Sequence, residues 1–310
     1  MNKNVHPFKQ LLVLIGSHIG MLVPLVLICV AVLAIVMTKG NGGDPQAMLS
    51  ATGNSLSSGW MTAVLIVLQS VLLFMVPVII VANCFYRDNK REFYCFDLSE
   101  RKWLLALAGV IVYALLSPLV DWLGFWNNHW NVGETFSMMS KEYEEMIMGI
   151  VRKAASAGSV GLVIMVLVMA VVPAICEELF FRVGLQQLLG KWFKNDHVAV
   201  VVTAFVFSLM HLDMSGFLIR FVMGLVLGYV FLYSRSLVPN VMLHFLNNAV
   251  ATISSYVAIR NRTPLAKLEE PWMVHWLPTV LCTIAALVLF WYCFVRKQNT
   301  IQQQSNDSES

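Results

Sequence analysis

Polar and apolar residues are strongly segregated along this chain. Near-continuous apolar runs cover residues 10–37, 60–83, 103–124, 158–189, 197–212, 216–233, 237–256 and 274–295. A bilayer hydrocarbon core about 30 Å thick needs about 20 apolar residues of helix to cross it. Within that core every backbone N–H and C=O must be paired inside the protein, which a helix does for itself. The pattern therefore predicts an all-α polytopic membrane protein, a bundle of about eight transmembrane helices. The first run is too long for the apolar part of a signal peptide and lacks a small-residue cleavage site, so it counts as a helix.

Composition agrees with the pattern. Of 310 residues, 58% are hydrophobic and 13% charged, against about 25% charged in ordinary soluble domains. The net charge of +3 is too small to suggest a nucleic-acid partner. The six cysteines have no C-x-x-C spacing, and Cys29, Cys176 and Cys282 lie inside apolar runs, so neither a disulfide framework nor a zinc cluster is expected. Position tells more than number for the basic residues. With the N-terminus inside, twelve Lys and Arg fall in cytoplasmic segments, among them Arg87, Lys90, Arg91, Lys191, Lys194 and Arg235, and eight fall in outer ones. That bias predicts cytoplasmic N- and C-termini.

Four regions follow. Residues 1–157 form a three-helix membrane region with an outer interfacial helix, and 158–256 form a core of four helices. Residues 257–297 make an outer loop and the last transmembrane helix, and 298–310 make a polar, disordered tail. The interfacial helix is read from Tyr143, Met146, Ile147, Ile150 and Val151, which share one face opposite Glu142, Glu145 and Arg152. Pro271 to Trp276 has the aromatic content of an interfacial anchor.

Ionisable groups inside the spans are few, and most lie between residues 177 and 248. A charge there costs roughly 2.5–3.5 kcal/mol even on insertion-based scales, and by default it marks a functional site. The groups are Glu177, Glu178 and Arg182 on one span, His211 on the next but one element, and His244 with Asn247 and Asn248 on a later one. Glu177 precedes Lys191 by 14 residues and His211 follows His197 by 14. At ~1.5 Å per residue both are roughly 20 Å from the basic turn 191–195. His244 and Asn248 follow Arg235 by 9 and 13 residues, so all four can share one layer. Glu178 and Arg182, four apart, can neutralise each other. Glu177 projects about 100° away and is free to accept a proton from water and pass it to a leaving amine. His211 can orient or deprotonate that water, while His244 and Asn248 can donate to the oxyanion formed at a peptide carbonyl. The same Glu177, His211 and His244 can instead hold a divalent metal such as zinc, although no H-E-x-x-H is present. Asn247, next to Asn248, is expected to face elsewhere.

The motifs Glu177-Glu178-x-x-x-Arg182, Phe207-x-x-x-His211 and His244-x-x-x-Asn248, in this order, resemble those of the CPBP family of intramembrane proteases. That family includes the Ras-converting CAAX prenyl endopeptidases and bacterial bacteriocin-processing and immunity-associated proteins. The resemblance covers about 158–256, a third of the chain. It implies that Glu177, His211, His244 and Asn248 are catalytic and that Glu178, Arg182 and Phe207 support them. It further implies a multi-pass protein of a bacterial inner membrane that cleaves a CAAX-like, leader-peptide or other membrane-protein substrate. Members are often classed as metalloproteases, and a metal-free water mechanism has also been proposed for them; the latter is preferred for this chain. Two other functions compete. A non-catalytic immunity or scaffold protein would use the same fold to bind without cutting. A transporter would show paired broken helices in two similar halves, whereas the polar groups here lie in one half.

Overall fold

The computed structural model describes residues 5–39, 59–97, 99–130, 133–262 and 276–296. The anchor expected at 271–275 and the tail at 298–310 lie outside the described residues. Helices α1 (Pro7–Gly20) and α2 (Leu22–Lys39) follow each other across Met21, then come α3 (Gly59–Phe85) and a short α4 (Lys90–Tyr94). Next are α5 (Glu100–Asn128), α6 (Glu134–Ser156), α7 (Gly158–Phe193) and α8 (Asp196–Leu209). The order ends with α9 (Phe217–Ser234), α10 (Leu237–Arg260) and α11 (Trp276–Arg296). No strand occurs among the described residues.

The protein is an all-α polytopic membrane protein. Six segments are long and apolar enough to cross a bilayer: Pro7–Val32, α3, Lys102–Asn127, α7, α9 and α11. The other two expected spans correspond to α8, which is only 14 residues long, and α10, which has the length at 24 residues but carries His244, Asn247 and Asn248. Polar duty thus accounts for the weaker membrane signal of α10.

Proline shapes the two helices nearest the site. In α3 the stretch Ser70–Met75 is wound as a π-helix just before Pro77, and in α7 Leu167–Val171 is wound the same way just before Pro173. A proline has no N–H for the carbonyl one turn back, and local π winding lets other donors reach the freed carbonyls. A second π stretch in α7, Leu179–Gln186, begins directly after Glu178. π segments inside membrane helices are frequent at functional sites. The turns are capped by local chemistry. Asn195 Oδ1 accepts from the backbone N–H of His197 and Val198 at the start of α8, and Ser236 Oγ accepts from Val238 at the start of α10.

Helix α7 runs through the middle of the packing. Its residues Cys176, Phe180, Phe181, Val183, Leu188 and Leu189 are buried against Leu11 and Leu14 of α1, Phe74, Val78 and Val81 of α3, and Phe207 of α8. On the other side Leu105, Met223, Leu227, Val230, Leu243 and Phe294 join α5, α9, α10 and α11. The end of the bundle farthest from the Lys191 turn is closed by α6, whose Ile150, Val151 and Ala154 are fully buried with Ala63, Met165 and Tyr256. Close approach depends on glycine where α9 meets α8. A Cβ on Gly224 would stand 3.0 Å from Ala204 Cα, and one on Gly228 would stand 2.8 Å from Val200 Cγ1. This brings the Gly228 carbonyl within reach of Gln186, whose Nε2 donates to it at 2.9 Å.

Candidate active site

The π winding that starts after Glu178 sets the second half of the Glu177-Glu178-x-x-x-Arg182 motif. Glu178 and Arg182 are fully buried, and Arg182 Nε donates to Glu178 Oε2 at 2.9 Å. Gln186, a further four residues on, accepts from Arg182 Nη1 at 3.2 Å. Asn240 of α10, fully buried, adds a donor to Glu178 Oε2 at 3.2 Å and one to the Leu227 carbonyl at 2.6 Å. The second carboxylate oxygen of Glu178 accepts from His244 Nδ1 at 3.0 Å. A buried charge with four partners is compensated where an isolated one would be prohibitive.

This corrects one expectation. Glu178 does more than neutralise Arg182, because its bond to His244 Nδ1 directs the other ring nitrogen, Nε2, towards Glu177 Oε2 at 3.9 Å. His244 therefore stands between the two carboxylates with its rotation set by Glu178, as a histidine is oriented by a carboxylate in many catalytic and metal sites. Glu177 is different in kind from its neighbour. Its side chain keeps 12% exposure, and Oε2 has no hydrogen-bond partner among the described residues.

Helix α8 ends at Leu209, short of the expected limit at 212, so His211 lies in the turn that follows. The turn is held by its own polar residues. Asp213 Oδ1 accepts from the Ser215 N–H and hydroxyl, and Asp213 Oδ2 pairs with Arg220 Nη2 at 2.6 Å. Burial would raise the Asp213 carboxyl, but the Ser215 hydrogen bonds and Arg220 outweigh it and hold the group below the usual carboxylate range. Leu212 takes a left-handed φ of 54° to close the turn. His211 Nδ1 meets the Phe207 carbonyl at 2.9 Å, so Nδ1 carries the proton and Nε2 is the free acceptor. Phe207 lies between the histidines, its ring 5.0 Å from His211, 5.9 Å from His244 and 5.8 Å from the Arg182 guanidinium carbon. From α6, Tyr143 reaches the same region: burial pushes its phenol up, and Arg220, Glu177 and Asp213 are the charges it feels.

Asn248 is one turn beyond His244 on α10, as the four-residue spacing predicts. Asn247 is a second correction. It does not face away but donates from Nδ2 to Asn248 Oδ1 at 3.1 Å, and its own Oδ1 accepts from the Tyr113 hydroxyl at 2.6 Å. This chain of bonds occupies the Asn248 carbonyl and leaves its NH2 group to donate elsewhere. Sequence reasoning missed Tyr113, Asn240 and Gln186. The signal for two of them was present in the spacing: Asn240, His244 and Asn248 recur every four residues, as do Glu178, Arg182 and Gln186.

Whether Glu177, His211 and His244 suit a metal ion can be judged from their grouping. Among the described residues no three His, Cys, Asp or Glu side chains come together as a metal-holding set. The Nδ1 of His244 is engaged by Glu178, and its Nε2 is 3.9 Å from Glu177. The expected ligand set is therefore not assembled as such, and no step below runs through a metal.

With this geometry in hand, comparison with known proteins adds a family. Residues 159–250 match the family described as type II CAAX prenyl endopeptidase Rce1-like. The match covers less than a third of the 310 residues, and it takes in Glu177, Glu178, Arg182, Phe207, His211, His244 and Asn248. It supports membership of the CPBP family and, at the level of the family, a CAAX-type intramembrane protease. Comparisons with curated proteins and with solved structures returned no match.

Proposed function

We propose, from the premise of an Rce1-like core over residues 159–250, that this protein is an intramembrane endopeptidase that hydrolyses a peptide bond with water activated by its own side chains. One observation carries the mechanism: His244 Nε2 and the unpartnered Glu177 Oε2 face each other at 3.9 Å. Two polar atoms at that separation can share one water, which donates one hydrogen to each and turns its lone pair to a carbonyl carbon. As the water attacks, Glu177 takes its proton and then delivers it to the leaving amine. The Asn248 NH2 group supplies a hydrogen bond to the oxyanion. His211, through its free Nε2 on the other side of Phe207, orients the peptide or the water. Glu178 acts through His244 and is a positioning residue. The substrate is a peptide segment of a membrane-associated protein, reached within the bundle and not from bulk solvent.

Membrane proteomics of host cells carrying the wild type or His211→Ala tests this function. A substrate is expected to accumulate uncut with His211→Ala and to appear as two fragments with the wild type. An identical peptide inventory in both, with the two proteins equally abundant, would favour a binding role without cleavage.

The Asn248 assignment makes a smaller prediction. Tyr113→Phe removes the hydroxyl that holds Asn247, so the Asn247–Asn248 pair is free to turn. A fall in kcat of about tenfold is expected with KM little changed, the size of one lost orienting bond of about 1.4 kcal/mol felt in the transition state. A kinetic series on a substrate identified as above measures the split, and a change confined to KM would move Asn248 from the reacting centre to substrate binding.

A further inference from the structure

The Lys191 end of the bundle holds a second polar feature, roughly 20 Å along α7 from Glu177 at ~1.5 Å per residue. A cavity of about 330 Å³ opens there, lined by Gln187, Gly190, Lys191, Lys194, Asp196 and Arg235. Three of these side chains are cationic and one is anionic. Asp196 is shared with Arg235 at 3.3 Å, both groups being about half exposed. Lys191 makes no ion pair among the described residues; its Nζ donates to the Tyr86 hydroxyl at 3.2 Å and lies 5.2 Å above that ring. Lys194 has no polar partner among the described residues. The cavity thus has positive charge in excess by two, carried by donors that are not fully used.

The backbone appears built to hold these groups around a space. Lys194 and Arg235 both occupy left-handed positions, φ 53° and 52°, at the ends of α7 and α9. Cations at helix C-termini are favoured by the partial negative charge there, which explains their sign but not an open space between them. The floor of that space is Gly190, where a Cβ would stand 2.6 Å from Asp196 Oδ1. Glycine here keeps Asp196 tucked against α7 and the cavity clear of a side chain. Trp192 and Phe193, beside it, are 39% and 37% exposed, and aromatic residues at the ends of membrane helices sit at headgroup level.

A ligand for such a space must be an anion with several acceptor oxygens, able to take bonds from two ammonium groups and a guanidinium together. Phosphate has that geometry. At headgroup depth, beside exposed aromatic rings, phosphate is presented by phospholipids, and a net excess of positive charge selects those whose headgroup is anionic. We propose that this cavity is a binding site for the phosphate of an anionic phospholipid.

Native mass spectrometry of the purified full-length protein, titrated with phosphatidylglycerol, phosphatidylcholine or inorganic phosphate, tests the site. Phosphatidylglycerol is expected to bind at least tenfold more tightly than phosphatidylcholine. Each neutralised cation should weaken it about fivefold, and the triple variant Lys191→Gln/Lys194→Gln/Arg235→Gln about a hundredfold. Lys194→Gln alone alters an unpartnered side chain and keeps the test open if the triple variant fails to fold. Millimolar inorganic phosphate should not displace the lipid; if it binds the wild type alone and the lipid does not, the lipid assignment is overturned. Equal retention of the two lipids, or undiminished binding by Lys194→Gln and the triple variant, would overturn the site itself.

Discussion

Glu177→Gln is expected to abolish cleavage while leaving the thermal midpoint of the protein close to that of the wild type. The two halves of this result have separate causes. The amide has nearly the same volume as the carboxylate but cannot accept a proton from water at neutral pH, and loss of a general acid–base group commonly costs about 10²–10⁴ in rate. Stability should change little because Glu177 Oε2 makes no hydrogen bond that the substitution would break. Taking a charge out of a half-dry site even relieves some desolvation cost. The measurement is a cleavage rate on purified protein beside a melting curve on the same preparation. A variant that cuts at the wild-type rate would remove Glu177 from the chemistry, and the shared-water geometry with His244 would then have no catalytic meaning.

Glu178→Ala is expected to do the opposite of a clean catalytic lesion: it should undermine the fold. Its carboxylate holds Arg182, Asn240 and His244 at 2.9, 3.2 and 3.0 Å, with Glu178 and Arg182 both at 0% exposure. Truncation leaves the Arg182 charge buried without its counter-ion, and breaking a buried pair in this way costs about 3–5 kcal/mol. Arg182→Met should be similarly harmful for the converse reason, since it strands Glu178. Replacing both at once, as Glu178→Gln with Arg182→Met, removes both charges and should be less damaging than the sum of the single changes. Denaturant midpoints of the three variants check this. Additive losses would mean that the two residues are stabilised independently and that the ion pair does not organise the site.

The adjacent glutamates therefore separate by a physical criterion, the number of partners each oxygen has. That criterion also explains why the CPBP-type motif carries two acids. One is consumed in orienting His244 against the Arg182 charge, and the other is left available to a ligand.

Much of this was legible in the residues alone. The apolar runs give the membrane helices because bilayer thickness and helix rise turn length directly into a span. The common depth of Glu177, His211, His244 and Asn248 comes from the same arithmetic, and the pairing of Glu178 with Arg182 from their four-residue spacing. What tertiary structure alone decided is which atoms meet. The bond from His244 to Glu178, the links from Asn240 to Glu178 and from Tyr113 to Asn247, and the position of His211 in a turn beyond α8 depend on how each helix is rotated about its axis and how closely its neighbours approach. Rotation in turn follows from π winding next to Pro77 and Pro173, and approach from missing side chains such as the one that Gly228 lacks beside Val200. Spacing along a chain sets depth and facing within one helix, but contact between helices is a property of their packing, and no single segment contains it.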